Sequence, residues 1–202
     1  MHVEPIVRER RREAAAALVE AFHDDAEAIH LLPGARTRAR VVPRFMAADC
    51  ADSQVHDTLL GVQVDRRIVG VAGWLPPGAY PIPLARQAAQ VLTFVPVLPW
   101  AWPAAIEARR GQAATRARHP HEPHWFLRVL GVVPAWQGNG IGHRLIEPVL
   151  DRADDKGVGA YLVTTKETNV AFYRRFGFAV TDEYRPTPTW PLVWSLWREP
   201  RT

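Results

Sequence analysis

A mixed α/β (α+β) domain is what the sequence predicts, on two observations. Two apolar, β-branched runs, Thr58 to Val64 and Ile68 to Leu75, are separated only by the short turn Asp65-Arg66-Arg67, so they read as a β-hairpin. Downstream, strand-like and helix-like segments alternate from Trp125 to the C-terminus. A hairpin followed by that alternation argues for one mixed sheet carrying helices. At 202 residues the chain suits a single domain with a substantial core.

The elements follow in order. Val3 to Val7 reads as a first strand, and alanine-rich Glu13 to Phe22 as a helix with Leu18, Val19 and Phe22 on its apolar side. A second helix falls within Thr37 to Ala51. Pro76-Pro77-Gly78 ends the hairpin. Between Ala79 and His121 lie helix-compatible pieces, Leu84 to Leu92 and Ala104 to Arg118. The apolar stretch Val91 to Ile106 is broken by Pro96, Pro99 and Pro103 and reads as an irregular surface element or lid. Trp100 and Trp102 there are either core or a wall of an acceptor site. Trp125 to Val133 is a strand, and Gly140 to Lys156 an amphipathic helix that Pro148 should kink. Then come strand Ala160 to Val163, helix Asn169 to Phe176, strand Phe178 to Tyr184 and strand Leu192 to Trp197.

Composition excludes several classes. No apolar run reaches the roughly 18–20 residues that span a bilayer, so no membrane partner is expected. The charged N-terminus, Met1 to Arg12, is no secretory signal. Cys50 is the only cysteine, which rules out an internal disulfide and a thiolate zinc cluster; no metal site is expected. A reducing, cytoplasmic setting follows, with Cys50 as a buried structural thiol. The net charge is +4, and the basic residues are arginine apart from Lys156 and Lys166. They do not form one block, since Arg8 to Arg12 and Arg109 to Arg118 are separate, so nucleic-acid binding is disfavoured.

The informative segment is Gly131-Val132-Val133-Pro134-Ala135-Trp136-Gln137-Gly138-Asn139-Gly140-Ile141-Gly142. A strand ends, a glycine-rich turn follows and a helix starts. Free backbone N–H groups and the helix dipole there suit a pyrophosphate. Side-chain-free Gly138, Gly140 and Gly142 let an anion approach the backbone. A dinucleotide fingerprint would sit after the first strand, with an acidic residue ending the next. Here the turn lies late and the next strand ends in Val163-Thr164-Thr165, which disfavours a nicotinamide site.

Val132 to Gly142, read as Val-x-Pro-x-x-Gln-Gly-x-Gly-Ile-Gly, resembles the acyl-CoA-binding signature of the GNAT acetyltransferase superfamily. Asn169-Val170-Ala171-Phe172-Tyr173-Arg174-Arg175-Phe176-Gly177-Phe178 resembles that family's second signature. Glu122-Pro123-His124-Trp125-Phe126-Leu127 and the segments after it, over Pro120 to Arg198, look like the puromycin N-acetyltransferase-like actinobacterial subgroup. That subgroup commonly carries a glutamate where this chain has Val163, so puromycin itself is not inferred.

The resemblance implies a single domain, 1–202, with a mostly antiparallel central sheet flanked by helices. Residues 1–121 would form an acceptor-side half with a variable helical insert, and 122–202 the acyl-CoA-binding half. Acetyl-CoA would be co-substrate and a small-molecule amine the acceptor, such as an antibiotic, another natural product or an amino-acid-like metabolite, by direct attack in a ternary complex. Backbone groups of Leu130 to Val133, Val132 among them, would pair with the pantetheine arm. Gln137, Gly138, Asn139, Gly140, Ile141 and Gly142 would hold the pyrophosphate, and Asn169 and Phe172 would contact the arm. Tyr173 would be the general acid toward the leaving thiolate.

The base is open between Glu122 and His124, at the start of the central strand. His23, His30 and His56 read as surface or packing residues. Asp24, Asp25 and Glu27 are either a solvated loop or, by family analogy, carboxylates that attract a cationic amine. A tRNA-borne donor, with the arginines as an RNA surface, and a non-catalytic acyl-CoA sensor are the rival readings. The protein would be a monomer or homodimer.

Overall fold

The computed structural model describes residues 1–95 and 98–201, with side chains described except at 89, 90, 92–94, 98 and 100. Among the described residues, seven strands form one sheet: β1 (Val3–Pro5), β2 (Leu59–Val64), β3 (Arg67–Leu75), β4 (His124–Val132), β5 (Gly159–Thr164), β6 (Ala179–Tyr184) and β7 (Val193–Arg198). Their spatial order is β1-β2-β3-β4-β5-β7-β6. Only β4 and β5 run parallel; the other neighbours are antiparallel. The helices are α1 (Arg11–Ala21), α2 (Ala26–Leu31), α3 (Ala35–Gln54), α4 (Leu84–Phe94), α5 (Leu98–Ala117), α6 (Ile141–Asp155) and α7 (Glu167–Arg174).

Alternation along the strands assigns the two faces. Leu60, Val62, Val69, Trp74, Trp125 and Leu127 point to the side covered by α6 and α7, where Ile141, Leu145, Val149, Val170 and Tyr173 meet them. Leu59, Ile68, Val71 and Val129 point to the other side, against Ala14, Leu18 and Cys50 of α1 and α3. Cys50 is fully buried, and burial pushes its thiol up to about 12, so it is packing material rather than a nucleophile. The hairpin turn has positive φ at both central residues, Asp65 (48°) and Arg66 (65°), matching the twist of the flanking strands.

Two expectations are corrected. Val91 to Ile106 is not an irregular lid: α4 reaches Phe94 and α5 begins at Leu98. Pro99 lies in the first turn of α5, where its missing N–H has no helical partner to lose. Pro96 lies outside the described residues. The second correction is α2, a helix not anticipated, capped by Asp25, whose Oδ1 accepts from Ala28 N at 2.8 Å. Pro148 sits inside α6 without ending it.

Candidate active site

The site begins as a gap in the sheet. β4 pairs with β5 only from His124 to Leu127, opposite Gly159 to Leu162, although β4 continues to Val132. Beyond Leu127 the parallel strands part, and the β5-side edge of Arg128 to Val132 has no strand partner. Apart from Val132 O, which accepts from a side chain, its backbone groups suit a ligand that mimics a strand, since a sheet edge is a row of unpaired donors and acceptors. The opposite edge of β4 stays paired with β3, interrupted by a bulge at Arg128, where Val129 faces Gly73 and Leu127 faces Trp74. Such a bulge re-aims a side chain, and Arg128 is a wall residue of the resulting cleft.

That cleft has a volume of about 1610 Å3. Small-molecule pockets commonly run to roughly 1,000 Å3, so there is room here for two substrates together. One end is the turn before α6. Gly138 (φ 81°) and Gly140 (φ 73°) are left-handed, and a Cβ at either would meet no protein atom within 4 Å. The space above them is therefore open and the backbone bare. Asn139 Nδ2 stiffens the turn by donating to the carbonyls of Trp136 and Gln137 at 3.1 and 3.2 Å. Gln137 Nε2 donates to Val132 O at 3.0 Å. Ile141 opens α6, so the helix's first N–H groups face the same end. Gly142 admits Phe172 closely: a Cβ there would lie 3.2 Å from Phe172 Cζ.

Among the residues expected to hold the cofactor, Leu130, Val132, Gln137, Gly138, Asn139, Gly140, Ile141, Gly142, Asn169 and Phe172 all line the cleft. Val133 does not. Its N–H donates to Val69 O at 2.8 Å and its carbonyl accepts from Trp136 N at 2.8 Å, so it offers no free backbone group. The chain turns inward there to start the loop, and the side chain is buried beneath α1.

Tyr173 also lines the cleft, from α7. Its ring is buried beside Phe172 and Phe178, and burial raises its hydroxyl above the ordinary phenol value, keeping the proton in place at neutral pH. Asn169, on the preceding turn, donates to Thr164 Oγ1 at 3.1 Å and ties α7 to the end of β5.

A carboxylate group occupies another wall. Asp25 and Glu27 come from the start of α2, Asp49 from α3, and Arg128 from the bulge. Arg128 Nη2 lies 2.7 Å and Nε 2.8 Å from Asp49 Oδ1. Glu27 makes no such bond among the described residues. It is exposed at the surface of the open cleft, with the cleft walls crowded around it. That crowding, and then the charges of Asp25 and Asp49, push its carboxyl up to about 7 against the pull of Arg128. Asp24 stands outside the group, where Lys166 Nζ at 2.8 Å holds its carboxyl below the usual range.

Glu122 and His124 are not wall residues of this cleft. His124 is buried behind it, Nδ1 2.6 Å from Glu122 O and Nε2 3.0 Å from His119 Nε2. His119 does reach the cleft. Three histidines within six residues, His119, His121 and His124, were the signal available for it. Val163 lines the cleft as an apolar wall. Trp102 is 60% exposed and lies along the cleft, which favours the wall reading over the core one; the Trp100 side chain lies outside the described residues. His23 is exposed, and His30 and His56 are half-buried.

A splayed parallel strand pair, a bare glycine turn opening a helix and a buried tyrosine beside both define a class of protein that holds an extended, phosphate-bearing co-substrate along a strand edge. The chain belongs to the GNAT acetyltransferase family, whose model matches residues 35–178. Membership implies acetyl-CoA as co-substrate, and the free β4 edge and the bare turn fit its arm and pyrophosphate.

Among solved structures, the chain is similar to the histone acetyltransferase HPA2 and related acetyltransferase from Corynebacterium glutamicum. The TM-score is 0.72 at 20% identity, covering 100% of this chain and 97% of that one. It is also similar to arylalkylamine N-acetyltransferase 2 from Aedes aegypti, with a TM-score of 0.63 at 15% identity over 99% of each chain. These likenesses establish the fold. An uncharacterized N-acetyltransferase of Schizosaccharomyces pombe is 37% identical over 54 residues, 27% of this chain. The matches to the first curated relatives span 8%, 18% and 22% of those proteins' lengths. Among the described residues no helix is long and apolar enough to cross a membrane.

Proposed function

We propose that the protein transfers the acetyl group of acetyl-CoA to a primary amine of a small molecule, by direct attack within a ternary complex. The observation that carries this reading is the placement of Tyr173 and the Asp25–Glu27–Asp49 group on one continuous cleft with the bare glycine turn. Acetyl-CoA supplies the acyl group. The chain's residues do the rest. The β4 edge and the turn before α6 hold the arm and pyrophosphate. The carboxylates attract an ammonium, and Glu27, poised near neutrality, takes its proton. The free amine then bonds to the acyl carbon as the carbon–sulfur bond breaks, and Tyr173 protonates the leaving sulfur. Glu27 thus takes the role that Glu122 and His124 were candidates for, and Val163 leaves that part of the wall apolar.

The resemblance of the run from Pro120 to Arg198 to the puromycin N-acetyltransferase-like subgroup supports an acceptor that is an amine of a natural product or amino-acid-like metabolite. A donor borne on tRNA is disfavoured by the intact pyrophosphate turn, bare at Gly138 and Gly140. The test is CoA-thiol release from acetyl-CoA with a panel of amines, on wild type and Tyr173→Phe. Amine-dependent release that falls about 10²–10⁴-fold in the variant supports the reading. Release that is unchanged in Tyr173→Phe, or absent with every amine, refutes it.

A further inference from the structure

The cleft extends beyond Tyr173 into a chamber between α5 and the sheet, walled by Tyr80, His119, Phe126, Val163, Trp190 and Val193. The hydrogen bonds behind His119 fix its tautomer. A carbonyl oxygen can only accept, so His124 Nδ1, 2.6 Å from Glu122 O, carries a hydrogen. Burial keeps this ring neutral, so its Nε2 is a lone-pair site. His119 Nε2, 3.0 Å away, must therefore be the donor. His119 is itself held neutral by burial, its value lowered to about 3, so its Nδ1 is left as an acceptor. Among the described residues that nitrogen has no hydrogen-bond partner, although the ring is only 8% exposed and touches the cleft.

Around it the surfaces are flat. The Tyr80 ring lies 3.8 Å from His119, inclined by 31°, and Phe126 and Tyr161 meet the imidazole edge-on at 5.0 and 4.8 Å. Overhead, α5 turns the small side chains of Ala104 and Ala108 toward the cleft, while Trp190 packs against Gly111 and closes the chamber beside them. The charges that α5 contributes are Arg109 and Arg116, so a second cation is disfavoured there.

We infer that this chamber is the acceptor's specificity subsite: it takes an uncharged aromatic ring bearing a hydrogen-bond donor, and His119 Nδ1 accepts from that donor while the amine lies toward Glu27. The inference rests on the amine-acetylation reading of the cleft. His119 is a specificity residue and His124 a positioning residue that sets which nitrogen carries the proton.

The test compares tyramine with phenethylamine, which differ by one phenolic O–H, at saturating acetyl-CoA. Wild type should favour tyramine about tenfold in kcat/KM, the value of one buried hydrogen bond, and spermidine should be a poor acceptor. His119→Phe should bring the ratio to about one by raising the KM of tyramine alone. His119→Gln, whose amide can donate to His124 and still present an oxygen, should retain most of the preference. Direct calorimetric binding of both amines to each variant gives a readout independent of turnover. Selective tyramine binding without acetylation would keep the subsite and sink the acetylation reading. Equal use of both amines by wild type overturns the subsite. So does a fall in kcat for both amines alike in His119→Phe, which would mark a role in proton transfer.

Discussion

Gly111→Ala sets two effects of known size against each other. Gly111 lies in the interior of α5, where alanine is favoured over glycine by about 1 kcal/mol. A Cβ there would sit 2.3 Å from Trp190 Cη2 and 2.6 Å from Cζ2 and Cζ3. Ordinary contact begins at 3.4 Å, so the gap must open by 3.4 − 2.3, about 1.1 Å. Trp190 is poorly placed to yield. It is 3% exposed, its ring lies 5.3 Å from that of His30, and its carbonyl accepts from Arg185 at 2.6 Å. Overpacking of that kind costs roughly 1–3 kcal/mol, so strain matches or exceeds the propensity gain and the net loss is about 0–2 kcal/mol. At roughly 2–4 °C per kcal/mol for a chain of this size, Tm should fall by several degrees at most. The functional effect is larger, because α5 roofs the acceptor chamber and moves off Trp190. The amine KM should rise while acetyl-CoA affinity holds. Thermal unfolding and amine saturation curves measure both. A higher Tm with an unchanged amine KM would show that α5 does not rest tightly on Trp190, and the account of the chamber would fail.

Wild type should show a rise in kcat/KM through about pH 7, and Glu27→Gln should abolish it. Because folding raises this carboxyl, its charging disfavours the folded state as pH climbs from about 4.5 to about 7; the variant should gain stability relative to wild type above that window, and equal stability curves at pH 5 and pH 8 would contradict the assignment. Asp154→Asn removes the carboxylate that Arg198 grips at 2.6 and 2.7 Å with its side chain 2% exposed, which should cost about 3 kcal/mol in denaturant unfolding. Arg198 holds the Asp154 carboxyl below its usual range, so this contribution is present above about pH 4 and lost as pH falls through the depressed value; a loss under 1 kcal/mol would be the wrong answer. Gly140→Ala meets no atom within 4 Å, so its stability cost should be limited to the left-handed backbone, about 1–2 kcal/mol. Its acetyl-CoA KM should rise well beyond that of a distant control such as Gly78→Ala, which has the same positive φ and equally open space.

The local parts of this architecture were legible because they are written in consecutive residues. The hairpin around Asp65 and Arg66, the amphipathic stripe of α6 and the glycine turn each state their own geometry. What escaped depends on residues that are distant in sequence. The parting of β4 from β5 after Leu127 leaves no mark in either strand's composition. Glu27, Asp49 and Arg128 come from three elements, and only the bulge turns Arg128 toward Asp49. Val133 looks like its neighbours in sequence, yet its backbone groups are consumed by Val69 and Trp136. The α2 helix did leave a signal: Asp25 precedes an alanine-rich turn and accepts from Ala28. With six residues it is short enough that periodicity says little.

The charge balance of the acceptor wall is the reason Glu27, rather than a neighbour, is the proposed base. The three carboxylates outnumber the cations that act on them, Arg128 and, at Asp25, Lys166, so one proton is retained near neutrality. Burial raises Asp49, but Arg128 at 2.7 Å opposes that and favours its charged form. Asp25 is likewise raised by burial, yet its Oδ1 is committed to Ala28 N at the start of α2 and to the helix dipole behind it. Glu27 has neither partner, so it is the least costly place for the proton. An ammonium entering the wall supplies the missing positive charge and shifts Glu27 toward ionisation as it arrives. Binding therefore readies the base, and the carboxylate that attracts the amine is the one able to deprotonate it.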